Sequence, residues 1–302
     1  MKLSFLITVL KEAASEWSED NAMRLSAALA YYTLLSLTPL IVVIIAIAGL
    51  VYGEQAASER VAQQIRSFAG TQAGDAMLSL ALSAHSTKSK AAIIGTVILL
   101  LGASGVFGEL KSAMNAIWGV VARPGRSYFA IVSERLISLG IVLLSGFIVI
   151  VAVTASAVLA ALESTVNLIY ALPHFALQIA DYVITFGITS GLFILIFRFL
   201  PDVRLRWADI WMSGVGTAFL FTIGKSVIGL YLGTSGIASS FGAAGSVIIV
   251  ELWVYYSAGI LFFGVETAKI ITLRRRGEIV PRRNAIRLEE RLRTKFENPP
   301  KY

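Results

Sequence analysis

Between Leu25 and Gly53 the chain carries no charged side chain, and a second stretch of this kind covers residues 136–162. A helix needs about 20 mostly apolar residues to cross the hydrocarbon core of a bilayer, where every backbone polar group must be satisfied within the helix itself. Further apolar stretches lie at 91–108, 175–199, 209–232 and 243–271. The pattern predicts six spans, the first over 27–52, with Pro39 kinking it. Hydrophobic residues make up 56% of the 302 and charged residues only 15%, with a mean hydropathy of +0.75, which sets the chain apart from soluble domains. The expected fold class is all-α: a polytopic membrane helical bundle of about six transmembrane helices, with an integral domain over 1–272 and a basic tail over 273–302.

The segments outside the spans are amphipathic. Phe5, Leu6, Val9, Leu10, Ala13 and Trp17 share one helical stripe, which predicts an interfacial helix lying on the membrane. A signal peptide is the alternative, but the apolar run from Leu3 ends at Leu10 and meets Lys11 and Glu12. Residues 54–90 are polar, with helical periodicity through Val61, Ile65 and Phe68 and again through Met77, Leu78, Ala81 and Leu82. One or two short amphipathic helices outside the bilayer core are expected there. In the tail, Ala285 to Phe296 is read as a helix with Ile286, Leu288, Leu292 and Phe296 set among arginines.

Charge distribution orients the bundle. The connections at 163–174 and 233–242 hold no Lys or Arg, whereas Lys111, Arg123, Arg126 and Arg135 follow the second span and Arg198, Arg204 and Arg206 follow the fourth. Residues 269–302 hold eleven Lys and Arg against four Glu, which accounts for the whole net charge of +7. The positive-inside rule therefore places both termini in the cytoplasm and the 54–90 loop outside, although Arg60, Arg66, Lys88 and Lys90 run against it. The expected partners are membrane lipids, with anionic headgroups at the basic tail, and a homo-oligomer is left open. No nucleic-acid partner is expected.

Several chemistries have no residues to support them. The chain has no cysteine, and its two histidines, His85 and His174, share no metal-ligand spacing. Gly224-Lys225-Ser226 has Phe219 where a phosphate-binding loop needs its first glycine. The expectation is no enzyme, no catalytic residue, no metal and no cofactor.

Ionisable groups inside spans cost roughly 2.5 to 3.5 kcal/mol each on insertion scales, so they usually face the bundle interior. Lys225 and Glu251 are the first candidates. Counted from the two ends of the outer connection, both fall roughly 11 Å deep, which predicts an ion pair or a shared polar cavity. Glu266, near the inner end of the last span, is read as a solvated interfacial carboxylate or as a partner of Lys269 one turn on. Glu109 and Asn115 complete the candidate polar pathway, each able to fix neighbouring backbone or side chains, with gating and packing equally weighted. The glycines from 233 to 245 serve a tight turn or an anion cradle. A faint echo between Gly102-Ala103-Ser104-Gly105 and Gly242-Ala243-Ala244-Gly245 is attributed to chance.

Three segments carry a family resemblance: Ala27-Ala28-Leu29-Ala30-Tyr31-Tyr32-Thr33-Leu34-Leu35-Ser36-Leu37-Thr38-Pro39-Leu40; Gly105-Val106-Phe107 with Leu110 and Asn115-Ala116-Ile117-Trp118-Gly119; and Phe241-Gly242-Ala243-Ala244-Gly245-Ser246 with Leu252-Trp253-Val254-Tyr255-Tyr256-Ser257-Ala258 and Gly264-Val265-Glu266. Leu200-Pro201 fits as well. In these the chain resembles the YihY/virulence factor BrkB family, once labelled ribonuclease BN, over nearly all of residues 20–270. The resemblance implies a multi-pass protein of the bacterial cytoplasmic (inner) membrane, suspected of transport or export, and carries over no catalytic residue. Two functions follow: a transporter or exporter of a small solute or lipid-like substrate, and a non-transporting envelope scaffold that docks partners. Ribonuclease activity is disfavoured, since neither histidine has an acid or base partner in view.

Overall fold

The computed structural model describes residues 3–85, 105–124, 174–241 and 244–297. The predicted span at 136–162, nearly all of that at 91–108, and His85 and His174 as side chains lie outside the described set. In order, the elements are α1 (Leu3–Glu19), α2 (Ala22–Tyr52), α3 (Glu54–Ala69), α4 (Thr71–His85), the helical residues 105–117 as α5, β1 (Val120–Ala122), α6 (His174–Phe199), α7 (Trp207–Thr234), α8 (Ile237–Ser240), α9 (Gly245–Arg276), β2 (Ala285–Arg287) and α10 (Leu288–Glu297). The all-α expectation holds apart from one two-stranded antiparallel ribbon, β1 with β2.

Three described helices have the length and hydropathy to cross a membrane: Tyr182–Phe199 of α6, all of α7 and all of α9. They correspond to the fourth, fifth and sixth predicted spans. The first falls within α2, which runs helical through residue 39.

Helix α9 is the centre of the described bundle. It packs against α7, α2, α1 and α4, and its buried residues, among them Val250, Trp253, Ala258, Phe262, Val265 and Ala268, fall on every side of the helix. A helix apolar all round is one that neighbours enclose. Aromatic rings link it to the next layers: Phe221 of α7 lies edge-on to Trp253 at 6.1 Å between ring centroids and to Phe193 of α6 at 5.6 Å. Small residues set the spacing. A methyl group at Gly264 would overlap Thr217 Oγ1 and stand 2.8 Å from Phe197 Cζ, and one at Gly214 would stand 3.1 Å from the backbone nitrogen of Ile194.

One side of α7 is uncovered among the described residues. Trp207, Trp211, Phe219, Ile223, Val227 and Tyr231 are all exposed and recur every fourth or eighth residue. Such a stripe suits lipid, with its tryptophans at one end and Tyr231 at the other, as in the aromatic belts of spans.

Two amphipathic segments differ in detail from the sequence reading. The stripe on α1 is divided: Val9 and Ala13 are buried against Ile270 and Ile271 of α9, while Leu6, Ile7 and Leu10 stay exposed. Thus α1 docks on the carboxyl-terminal part of α9 as well as offering an apolar edge, and the Trp17 indole donates to the Gly259 carbonyl at 3.1 Å. Asn21, with φ at 53°, makes the elbow into α2. Residues 54–85 form two helices, α3 and α4, broken at Gly70, with Val61, Met77 and Leu78 buried as their periodicity implies. Far from standing apart, α4 packs on α9, α2 and α7.

Because Gly264 sits against side chains from two other helices, Gly264→Ala is expected to destabilise the protein by about 1 to 3 kcal/mol through overpacking. Gly216→Ala, on open surface of α7, serves as the neutral control in thermal unfolding of the detergent-solubilised protein.

Candidate functional site

The contacts between α7 and α9 fix their register. Gly224 faces Tyr256 and Ile260, and Gly264 faces Thr217, so the helices run antiparallel and residue 225 lies level with about residue 256. Lys225 and Glu251 are therefore offset by roughly five residues, or ~7 Å along the axis. They also differ in direction. Trp253, Tyr256, Ile260 and Gly264 form the face of α9 that meets α7, and at 100° per residue position 251 falls on the opposite side. On this register the two side chains do not face each other, and the ion pair expected between Lys225 and Glu251 is not among the contacts of the described residues. The equal-depth argument counted from assumed helix ends, whereas α7 extends to Thr234 and α9 starts at Gly245. Glu251 turns a buried Oε2 into the bundle with no hydrogen-bond partner among the described residues.

Glu266 is wholly buried, and its carboxylate stands 3.3 Å from Lys269 Nζ. The predicted pairing with Lys269 is present, and the solvated alternative is overturned because α1 covers this face. The same ammonium donates to Glu16 at 2.8 Å and to Asp20 at 3.0 Å, both from the α1 end of the chain. One turn further on, Arg274 Nε donates to Glu12 at 3.0 Å. Opposite charges thus join α1 to the last turns of α9, so α1 and the carboxyl-terminal end of α9 share one end of the described bundle.

Asn115 fixes its neighbours as its chemistry suggested. Its Nδ2 donates to the Asp202 carboxylate at 3.0 Å and its Oδ1 accepts the Asp202 backbone N–H at 2.8 Å, while Lys111 adds an ion pair to Asp202 at 3.0 Å. This arrangement holds α5 to the turn that Pro201 starts, which favours packing over gating for Asn115. Glu109, half-buried on the same helix, stands outside this cluster.

Sequence reasoning missed Asp202, Asp209 and Arg282. Arg282 reaches back from the tail to the end of α6 and donates to the carbonyls of Arg198, Phe199 and Val203 at 3.0, 3.3 and 3.3 Å. The carbonyls of Arg198 and Phe199 are among those that a helix leaves without partners at its carboxyl end. Burial pushes the Arg282 pKa below its ordinary value, opposed by Asp202 and reinforced by Arg198. Asp209, in the first turn of α7, pairs with Arg276 at 2.8 Å in the last turn of α9, so each charge also complements its own helix dipole. The available signal was Asp202 and Asp209, the two acidic residues in the otherwise basic stretch 198–209.

The tail is consequently part of the fold. Pro281 bridges to Val203, and Val120, Val121 and Ala122 pair with Arg287, Ile286 and Ala285. The helix expected from Ala285 begins instead at Leu288, because residues 285–287 complete the ribbon and bury Ala285 and Ile286. Leu288 and Leu292 remain exposed.

Asp202→Ala is expected to cost about 2 to 3 kcal/mol of stability, since it leaves Asn115 and Lys111 facing a half-buried gap; thermal unfolding reads this directly. A hydrogen bond from Arg274 holds the Glu12 carboxyl below its ordinary value of 4.5. A depressed folded-state pKa contributes stability above the ordinary value that is lost as pH falls through the folded one. Proteolysis within α1 should therefore increase below about pH 4.5 and do so less in Glu12→Gln, whose contact with Arg274 no longer titrates.

Comparison with known proteins agrees with this architecture. The family described as Virulence factor BrkB matches residues 13–289. A UPF0761 membrane protein of Psychrobacter is 25% identical over 284 residues, covering 91% of this chain and 50% of its own length. Similar UPF0761 membrane proteins occur in Pseudomonas aeruginosa (29% identical, 83% of this chain, 59% of the relative) and Teredinibacter turnerae (26%, 82% and 56%). The chain thus spans about half to three-fifths of the length of these relatives, and no solved structure matches it. With the family profile covering most of the chain and three described helices fit to cross a bilayer, this is a membrane protein of the virulence factor BrkB family.

Proposed function

We propose that the protein is a transporter or exporter of a small solute or lipid-like substrate in the bacterial inner membrane, with both termini cytoplasmic and no enzymatic activity. The observation that supports this reading is Glu251. It lies within a membrane-spanning helix, on the side of α9 turned away from α7, with Oε2 buried and unpartnered among the described residues. An ionisable group held there at such cost is the usual mark of a substrate or ion pathway. Lys225, half-buried in α7 within its span, is assigned to the same pathway from a different face, while Glu109 marks its inner end. The docking of α1 on the end of α9 supports termini on one side, and the basic connections at that end support the cytoplasmic side.

The test is substrate-unbiased flux into proteoliposomes, paired with thermal-shift screening against solutes and lipids. Glu251→Gln is expected to abolish flux with the unfolding temperature preserved, and Lys225→Ala to reduce it. Unchanged flux in a folded Glu251→Gln protein would remove the pathway. An absence of flux for every solute and lipid would favour the scaffold reading, for which the exposed Leu288 and Leu292 of α10 offer a docking edge.

A further inference from the structure

Helix α10 follows β2 directly, and its start is pinned. The Leu288 N–H donates to the Gly119 carbonyl at 2.9 Å, while β2 pairs with β1. Earlier in the tail the Arg282 N–H donates to the Asp202 carbonyl at 2.8 Å, and its guanidinium holds the end of α6. The start of α7 and the end of α9 are joined at this same end by Asp209 with Arg276, and the Arg198 guanidinium lies over the exposed Trp207 ring at 5.6 Å from its centroid. Three membrane-crossing helices therefore terminate in the layer to which α10 is tied. Helix ends, arginines and an exposed tryptophan together mark the level of lipid headgroups.

At that level α10 carries an apolar edge, with Leu288 and Leu292 one turn apart and 44% and 47% exposed. Basic residues keep step with it: Arg287, Arg291 and Lys295 each immediately precede an apolar residue, Leu288, Leu292 and Phe296. At 100° per residue, positions 291 and 295 make a row alongside the apolar one, and position 290 falls on the opposite side. Glu289 and Glu290 occupy the first turn, where acidic groups complement the helix dipole. Past that turn Arg291, Arg293 and Lys295 outnumber Glu297. The exposed Arg123 and Arg283 extend the positive surface along the ribbon, where the Arg123 N–H donates to the Asn284 carbonyl at 3.1 Å. An apolar edge bordered by a basic row is the pattern of a helix that lies in the plane of an anionic bilayer surface. We propose that α10 docks on anionic lipid headgroups of the bilayer its own spans cross. Leu288 and Leu292 enter the boundary between headgroups and acyl chains, and Arg291 meets the lipid phosphates. This docking stands whether or not the protein transports a substrate.

The natural chain has no cysteine, so L292C takes a single spin label on the apolar edge and E290C one on the opposite side. The full-length variants are compared in nanodiscs of phosphatidylethanolamine with phosphatidylglycerol and in nanodiscs of phosphatidylcholine alone. The label at L292C is expected to be reached by oxygen and shielded from a neutral water-soluble nickel chelate in the anionic nanodiscs only, and the label at E290C to stay open to the chelate in both. Each basic side chain near an anionic surface strengthens binding about fivefold, so adding R291Q and K295Q to L292C should lower the ratio of shielded to open label by about 25-fold. High salt should act in the same direction. Trypsin cleavage of the unlabelled wild type after Arg291 and Arg293, slower in the anionic than in the neutral nanodiscs, gives a second reading that needs no variant. A label at L292C open to the chelate in anionic nanodiscs, or shielded equally in neutral ones, overturns the proposal. So does shielding that disappears on dilution with unlabelled chain, which would assign the edge to a second copy.

Discussion

Everything described in this bundle leans on one helix that has no free side. Gly245–Arg276 is buried around its circumference by α1, α2, α4 and α7, and close approach at Gly264 and Gly224 determines how near α7 comes. In a bilayer the tails of lipids are as apolar as leucine, so helices gain little from hiding apolar surface from one another. Association rests on tight packing and on polar links. The apolar middle of this protein has the first, with its linked rings of Phe193, Phe221 and Trp253. The end where α9 terminates has the second.

That end divides the work among unlike segments. Lys269 and Arg274 hold α1, Asp209 meets Arg276, and Asp202 collects Lys111 and Asn115. The arginines counted as cytoplasmic charge by the sequence are used twice, since Arg276 and Arg282 also donate to backbone carbonyls of the 198–204 segment. Guanidinium groups suit this because their donors form a fixed planar fork that several carbonyls can share. A topological signal and a structural clamp are here the same residues.

What the sequence made legible follows from what depends on local pattern. Long apolar stretches, tolerant of a few internal charges, located the last three spans, and the period of Val61, Met77 and Leu78 identified the buried sides of α3 and α4. The pairing of Glu266 with Lys269 was legible because three residues on one helix are always neighbours. Lys225 with Glu251 was not, because it depends on the exact ends of two helices and on which side of α9 receives α7. The same holds for Asn115, whose capacity to bind backbone was plain but whose partner lies 87 positions away. The tail misled for a different reason: Ile286 has the spacing of a helical apolar position, and only the presence of Val121 opposite it makes a strand.

The position of α9 in the chain bears on how the protein is made. Synthesis runs from the amino end, so α1, α2, α4 and α7 all leave the ribosome before the helix on which they pack. Until Gly245–Arg276 is inserted, Glu12, Glu16 and Asp20 have no lysine or arginine of α9 to meet, and the end of α6 waits longer still for Arg282. Contacts of α2 with α4 and of α6 with α7 need no α9 and can form earlier, but the packing around α9 cannot. That packing closes late, when Gly245–Arg276 arrives and Arg282 behind it caps the end of α6.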